Sequence, residues 1–303
     1  MNEQEKITMT DVVLWVFSDG RKGHEKQSLG LVQAIERLVK NSVEVCRIAV
    51  GSSFKRLTAM PKPNLILGAG HATHVPMLLS KLRFHAPCVV LMKPSLPTIL
   101  FDLVLVPHHD FCSNFGNVHA TRGVLCPIPD ARPDPTRGVI LLGGDSRHYH
   151  WNTDAVVEAV VGICGASPEK HWTICDSPRS PSDLLGSLSP LPNGTTRQWR
   201  TTSETFITEL LNASSETWVT SDSVTMLYEA LNTGVPVGVI KLQTKRKTNK
   251  LDRGIQDLAK HKQVHLTSAG YSIDPELSMM PPGQELRRCA KLCLPLLKNG
   301  VVL

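Results

Sequence analysis

The sequence predicts an α/β protein of two Rossmann-like domains, each built on a parallel sheet, facing a cleft. Three observations carry that expectation. The chain has 303 residues, long for one hydrophobic core, so two domains of ordinary size are the sensible number. Short apolar runs of strand length alternate with stretches whose apolar residues repeat at helical spacing, the pattern of a parallel sheet covered on both faces. A proline-rich stretch, CPIPDARPDPTR at 126–137, interrupts the alternation, which then restarts. Domains are therefore expected over residues 1–128 and 138–303 with a linker at 129–137, the last helix packing back on the first domain.

In the first half, Val12 to Phe17 reads as a buried strand, followed by a glycine-containing loop. An amphipathic segment then runs through Lys40, with Leu29, Val32, Ile35, Leu38 and Val39 on one face. Val43 to Val50, Asn64 to Leu67, Pro87 to Met92 and Leu103 to Val106 are the next strands. Four prolines in the twelve residues from Cys126 to Arg137 cannot continue a helix or a central strand. Beyond them, strands are expected at Gly138 to Leu142, Trp172 to Cys175, Thr217 to Thr220 and Pro236 to Leu242. Helices are expected at Asp154 to Ile163, Glu204 to Leu211, Ser223 to Asn232 and Gly283 to Leu297.

Composition narrows the function classes. Hydrophobic residues make up 41% and charged residues 20%, as in a folded globular chain. The net charge of +6 favours phosphorylated substrates or peripheral contact with an anionic membrane. No zinc-finger spacing, RNA-recognition signature or aromatic-interleaved basic stripe supports a nucleic-acid partner. None of the eight cysteines forms a CxxC pair, so neither a metal nor a disulfide framework is expected. Residues 1–11 are polar with both signs of charge, unlike a leader, and no apolar run approaches the roughly 20 residues of a membrane span. The expected location is cytoplasmic, at most peripheral on the inner face of the cytoplasmic membrane.

Four segments could carry chemistry. The first is SDGRKGHEKQSLGL, Ser18 to Leu31, directly after the first strand. Gly20 and Gly23 allow close backbone approach, and the following helix N-terminus favours anions. Asp19, Arg21, Lys22, His24 and Glu25 crowd titratable and charged groups into seven residues. The spacing is neither a P-loop nor a dinucleotide fingerprint. The second is GGDSR, where Gly143 and Gly144 at a strand's carboxyl end suit a phosphate and Asp145 does not. The third is TSDSVTMLYEALNTGVPVGVI, Thr220 to Ile240. Ser221, Asp222 and Ser223 offer N-cap chemistry and hydroxyls for a diphosphate, and Glu229, embedded among apolar residues, suits a ribose. The fourth is PHHD, where His109 and Asp110, with His108, suit hydrogen bonding near the cleft more than metal binding. The basic run Lys241 to Arg253 reads as a solvated loop.

Taken in order, SDGRKGHEKQSLGL, PHHD, GGDSR, SPRSP (177–181) and TSDSVTMLYEALNTGVPV resemble the ELM family of plant mitochondrial-fission proteins and their bacterial relatives. This likeness covers most of the chain and implies a GT-B glycosyltransferase-type fold. It implies that Ser223 and Thr225 face a diphosphate, that Glu229 faces the ribose, and that Arg179 belongs to the donor pocket. The glycine loop is similar to that of the peptidoglycan N-acetylglucosaminyltransferase, which implies an acceptor side formed by Gly20, Arg21, Lys22, Gly23 and Gln27. Three positions depart from the family pattern. His108 stands where Glu is usual, SPRSP keeps one arginine of SRRTP, and no Asn-Pro-Tyr segment precedes the closing motif.

The expected reaction is inverting, metal-independent transfer from a nucleotide-sugar, with no cofactor, to a cell-surface glycan or lipid-linked acceptor such as lipopolysaccharide core. Imidazole titrates near neutral pH, which suits His24 as base, with Asp19 the alternative. Helix N-termini at Gly144 to Ser146 and Ser221 to Ser223, with Arg147, would stabilise the leaving group. The alternatives are a non-catalytic scaffold for membrane or organelle-fission partners and a nucleotide-sugar epimerase.

Overall fold

The computed structural model describes residues 12–107, 116–123, 125, 127, 132–188, 190–203, 205–246, 249–279 and 281–297. His108, His109 and Asp110 lie outside the described residues. The chain forms two compact units, residues 1–128 with 283–303, and residues 129–282. Each holds a six-stranded sheet, and all pairings between neighbouring strands are parallel.

Unit 1 runs β1 (Val12–Ser18), α1 (Lys22–Glu36), β2 (Val43–Ala49), α2 (Phe54–Thr58), β3 (Leu65–Ala69), α3 (His74–Phe84), β4 (Cys88–Leu91), β5 (Leu103–Pro107) and β6 (Val118–Thr121). Its strand order is β2-β1-β3-β4-β5-β6. The run Val12 to Phe17 is buried throughout because its alternate side chains enter the cores on opposite faces of the sheet. Leu31, Val32 and Ile35 of α1 cover one face, and Leu57, Met77 and Phe84 of α2 and α3 cover the other. Burial of each such side chain contributes about 1.5–3 kcal/mol.

Unit 2 runs β7 (Asp134–Leu141), α4 (Thr153–Ala166), β8 (His171–Cys175), α5 (Leu184–Ser187), β9 (Gly194–Arg197), α6 (Phe206–Ala213), β10 (Ser214–Thr220), α7 (Val224–Leu231), β11 (Val237–Ile240), α8 (Lys250–Lys260) and β12 (His265–Leu266). Its order is β12-β11-β10-β7-β8-β9. Trp172 and Trp218 are fully buried, each over a glycine (Gly138 and Gly238) of a neighbouring strand.

The stretch expected to be a linker ends in strand, because Asp134 to Arg137 belong to β7. Pairing with β8 starts only at Arg137, and the register with β10 shifts between Ser214 and Glu216, so Pro135 has no ladder bond to donate. The basic run also differs from a plain loop. Asn249 caps α8 by accepting the Leu251 N–H at 3.0 Å, and Leu251, Ile255 and Leu258 then repeat at helical spacing.

The closing helix α9 (Gln284–Cys293) belongs to unit 1, where Leu286, Cys289, Ala290 and Cys293 join the α1 core. It is shorter than the sequence suggests, because Leu294 to Leu296, with Pro295, tighten into a 3-10 turn. Glu285 fastens α9 to the end of β6: it accepts the Arg122 N–H at 3.0 Å and pairs with Arg288, which donates to the Ala120 carbonyl at 2.6 Å. Glu285→Ala leaves the Arg122 N–H without its acceptor and Arg288 without its ion pair, holding only the Ala120 carbonyl. It is expected to cost about 2 kcal/mol, read as a lower denaturation midpoint in urea.

Among the described residues no helix is long and apolar enough to cross a membrane.

Candidate functional site

In open parallel sheets, ligands bind outside the carboxyl ends of the strands, where the winding direction reverses. In unit 1 that point lies between β1 and β3, and in unit 2 between β7 and β10. The glycine loop after β1 falls at the first point, and GGDSR and the start of TSDSVTMLYEALNTGVPVGVI at the second.

At the unit 1 point, α1 begins at Lys22, so Gly23 and His24 sit in its first turn rather than in a long loop. Asp19 opens the strand–helix turn with its side chain 5% exposed, and His24 Nδ1 lies 2.9 Å from Asp19 Oδ2. Asp19 Oδ1 accepts the Arg21 N–H at 3.1 Å, and the Arg21 guanidinium lies 3.9 Å from Oδ2. Ser18 accepts the Gly20 N–H at 2.9 Å and donates to Glu25. The whole turn is thus pinned to the helix it feeds.

Burial acts to raise the Asp19 pKa. The His24 and Arg21 hydrogen bonds, with the charges of both residues, outweigh it and hold the carboxyl below its ordinary value. A depressed carboxyl contributes stability above its unfolded pKa and loses it as pH falls through the folded value. Asp19→Asn is therefore expected to melt below the wild type at pH 6 and to converge with it in acid, below about pH 4. Melting followed by circular dichroism across that range checks it.

Gly70, just past β3, closes the floor of this pair. Its φ of +88° is left-handed, and a Cβ there would stand 2.4 Å from His24 Nδ1 and 2.8 Å from Asp19 Oδ2. Gly70 was not among the residues expected at the site; the glycine that follows the strand run LILGA was the available signal. Gln27 is buried, with Nε2 3.3 Å from the Gly23 carbonyl and 3.6 Å from Met92 Sδ. It braces the helix from inside instead of standing in the turn. Arg21, Lys22 and Gly23 are exposed.

At the unit 2 point, the strand ends of β7 and β10 are cross-linked. The Gly143 N–H donates to Thr220 Oγ1 at 2.7 Å, and the Gly144 N–H to Asp222 Oδ2 at 3.1 Å. Arg179 Nη1 meets the same Asp222 oxygen at 2.6 Å; the Asp222 side chain is 0% exposed and that of Arg179 40%. The SPRSP segment is held by Ser180, whose hydroxyl accepts the Ser177 N–H at 2.9 Å and contacts the Gly143 carbonyl. The glycines fit this packing, because a Cβ on Gly143 would meet the Asp222 carboxylate and one on Gly144 the Arg179 backbone.

The expected cap chemistry of Ser221, Asp222 and Ser223 is corrected here. No side chain caps α7 at Ser223. Asp222 is occupied by Gly144 and Arg179, and the buried Ser221 hydroxyl accepts the Leu242 N–H at 3.0 Å. Thr225 is exposed and Glu229 half-buried, one turn apart on α7, so both share one face of the helix. Ser146 accepts the His148 and Tyr149 N–H groups at 3.3 and 3.2 Å, while Arg147 Nε contacts His148 Nε2 at 2.8 Å. Asp145 pairs with Lys245 at 2.9 Å, and hydrogen bonding from that lysine keeps its carboxyl below the usual range.

Among the described residues no three His, Cys, Asp or Glu side chains converge as a metal ligand set.

Solved structures of similar fold cover nearly the whole chain. UDP-N-acetylglucosamine 2-epimerase from Neisseria meningitidis, bound to UDP-GlcNAc, aligns over 95% of this chain and 99% of its own, at 14% identity and a TM-score of 0.56. A putative UDP-N-acetylglucosamine 2-epimerase from Listeria monocytogenes gives 96% and 89%, 12% identity and 0.52. The glycosyltransferase SnogD from Streptomyces nogalater gives 95% and 100%, 15% identity and 0.51. At such identities the likeness establishes the GT-B fold. No curated protein sequence matches. The mitochondrial fission ELM1 family profile matches residues 22–295, and the chain belongs to that family.

Proposed function

We propose that the protein is a glycosyltransferase that moves a sugar from a nucleotide-sugar to a glycan or lipid-linked hydroxyl of the cell envelope. The observation that carries this reading is the Asp19–His24 pair at the switch point of the unit 1 sheet. Asp19 engages Nδ1, fixing the ring, so Nε2 takes the proton from the acceptor hydroxyl. The acceptor oxygen then forms its bond to the anomeric carbon as the bond to the nucleoside diphosphate breaks, inverting that centre. Unit 2 holds the donor in this reading. Arg179, fixed by Asp222, receives the diphosphate beside the turn Gly143 to Ser146, whose glycines let it approach, with Arg147 next to it. Ser223 and Thr225 at the start of α7 supply hydroxyls, and Glu229 accepts from the ribose. Charge on the leaving diphosphate is met by prearranged donors, with neither a metal nor a cofactor.

A second reading is favoured by the family's own description. A GT-B fold kept as a scaffold would serve organelle or membrane partners without turning over sugar. Incubation of the full chain with UDP-GlcNAc, the ligand of the Neisseria epimerase, and mass analysis of the products separates the readings. Release of UDP with a hydrolysed or transferred sugar supports a transferase. A nucleotide-sugar altered only at the sugar indicates an epimerase. No product from UDP-, GDP-, ADP- or CMP-sugars indicates the scaffold.

A further inference from the structure

The outer face of α3 carries Val75, Leu79 and Leu82, spaced about one turn apart and each more than half exposed. α2 and the segment around Phe101 flank α3 on the same side of the sheet, where Leu57, Phe84 and Phe101 share one core, so their outer sides adjoin that of α3. Phe54 at the start of α2 stacks on the buried Phe84 at the end of α3 with ring centroids 6.4 Å apart, and Lys81 of α3 donates to the carbonyl of Leu100 at 2.9 Å. Leu100 and its neighbour Ile99 are themselves exposed, Ile99 at 84% and Leu82 at 72%. These six residues make up most of the ten large apolar side chains exposed among the described residues, and all belong to unit 1. Concentration on one face, rather than scatter, is what marks an interaction surface.

Charge identifies the occupant. From Val45 to Phe101 the sequence contains seven Lys and Arg residues and no Asp or Glu. The first carboxylate after this stretch, Asp102, is paired with Lys81 at 2.8 Å. Lys55, Arg56 and Arg83 are exposed beside the apolar stripe, Arg83 lying over the Phe84 ring at 5.5 Å. An apolar stripe bordered by the exposed Lys55, Arg56 and Arg83, with Asp102 neutralised by Lys81, fits lipid headgroups of negative charge, with the aliphatic side chains entering the headgroup–acyl boundary.

We propose that this face of α2, α3 and the 98–100 turn docks on an anionic lipid bilayer. The inference is independent of whether the protein transfers sugar. It is tested by co-sedimenting the full chain with vesicles of phosphatidylcholine alone or mixed equally with phosphatidylglycerol. Preferential binding to the mixed vesicles is expected. Leu82→Ser with Ile99→Ser is expected to lower the partition coefficient roughly tenfold or more, and Lys55→Gln with Arg56→Gln roughly 25-fold. All four positions are solvent-exposed, so both double variants keep the wild-type melting temperature. The proposal is overturned by no binding to mixed vesicles, by equal binding to both vesicle types, or by variants that bind like the wild type. A wild-type dimer in solution that Leu82→Ser with Ile99→Ser dissociates, without vesicle binding, reassigns the face to self-association and equally overturns it.

Discussion

His24→Ala is expected to lower the turnover of sugar transfer by roughly 10²–10⁴-fold, the range for losing a positioned general base. Nucleotide affinity is expected to stay close to wild type, while the melting temperature falls modestly because the buried Asp19 carboxylate loses its His24 partner. The imidazole is partly exposed and bonded to Asp19, so its removal opens space at the surface of unit 1 without emptying the core. The diphosphate contacts proposed for unit 2 do not involve it. A fall in kcat with unchanged nucleotide affinity assigns His24 to the chemical step. Equal turnover by His24→Ala and wild type removes it from the mechanism.

Gly144→Ala has the largest expected effect on stability. Its Cβ would lie 1.9 Å from the Arg179 carbonyl oxygen, 2.2 Å from the Arg179 carbonyl carbon and 2.7 Å from the Ser180 nitrogen. These are backbone atoms, so no rotamer relieves the overlap, and the whole 177–181 turn has to move. The cost is expected at the upper end of overpacking, about 3 kcal/mol, or a fall in melting temperature of roughly 6–12 °C. Nucleotide affinity is expected to fall with it, because the shifted backbone carries Arg179. Gly165→Ala, in α4 with open space around its Cβ, is the control and is expected to be neutral or slightly stabilising.

The parallel sheets were legible because their strands are near-continuous apolar runs, such as VVLWVF in β1, separated by helical periodicity. The short strands β6, β9 and β12 carry no such run and were not expected. Helix α8 was hidden because seven of the thirteen residues from Lys241 to Arg253 are charged, and only the Asn249 cap announces it. The Asp19–His24 pair was within reach because only four residues separate the partners across a single turn. The unit 2 site was legible only in pieces. Gly144 and Asp222 are 78 residues apart, and they meet because β7 and β10 lie side by side. Read alone, Ser221 and Asp222 resemble helix caps. Their true partners, Leu242, Gly144 and Arg179, come from other segments that only the fold brings together.

The most direct test of the central claim is a thermal-shift titration of the full chain with UDP, GDP, ADP, CMP and their sugars, beside Glu229→Ala. A ligand that binds only the folded state raises the melting temperature by mass action, about 2.7 kcal/mol of stability at a hundredfold excess over Kd. A selective rise with one nucleotide and its sugar, weakened or lost in Glu229→Ala, is the predicted result. No rise with any of them, at concentrations well above millimolar, would contradict a nucleotide-sugar site and leave the scaffold reading in its place.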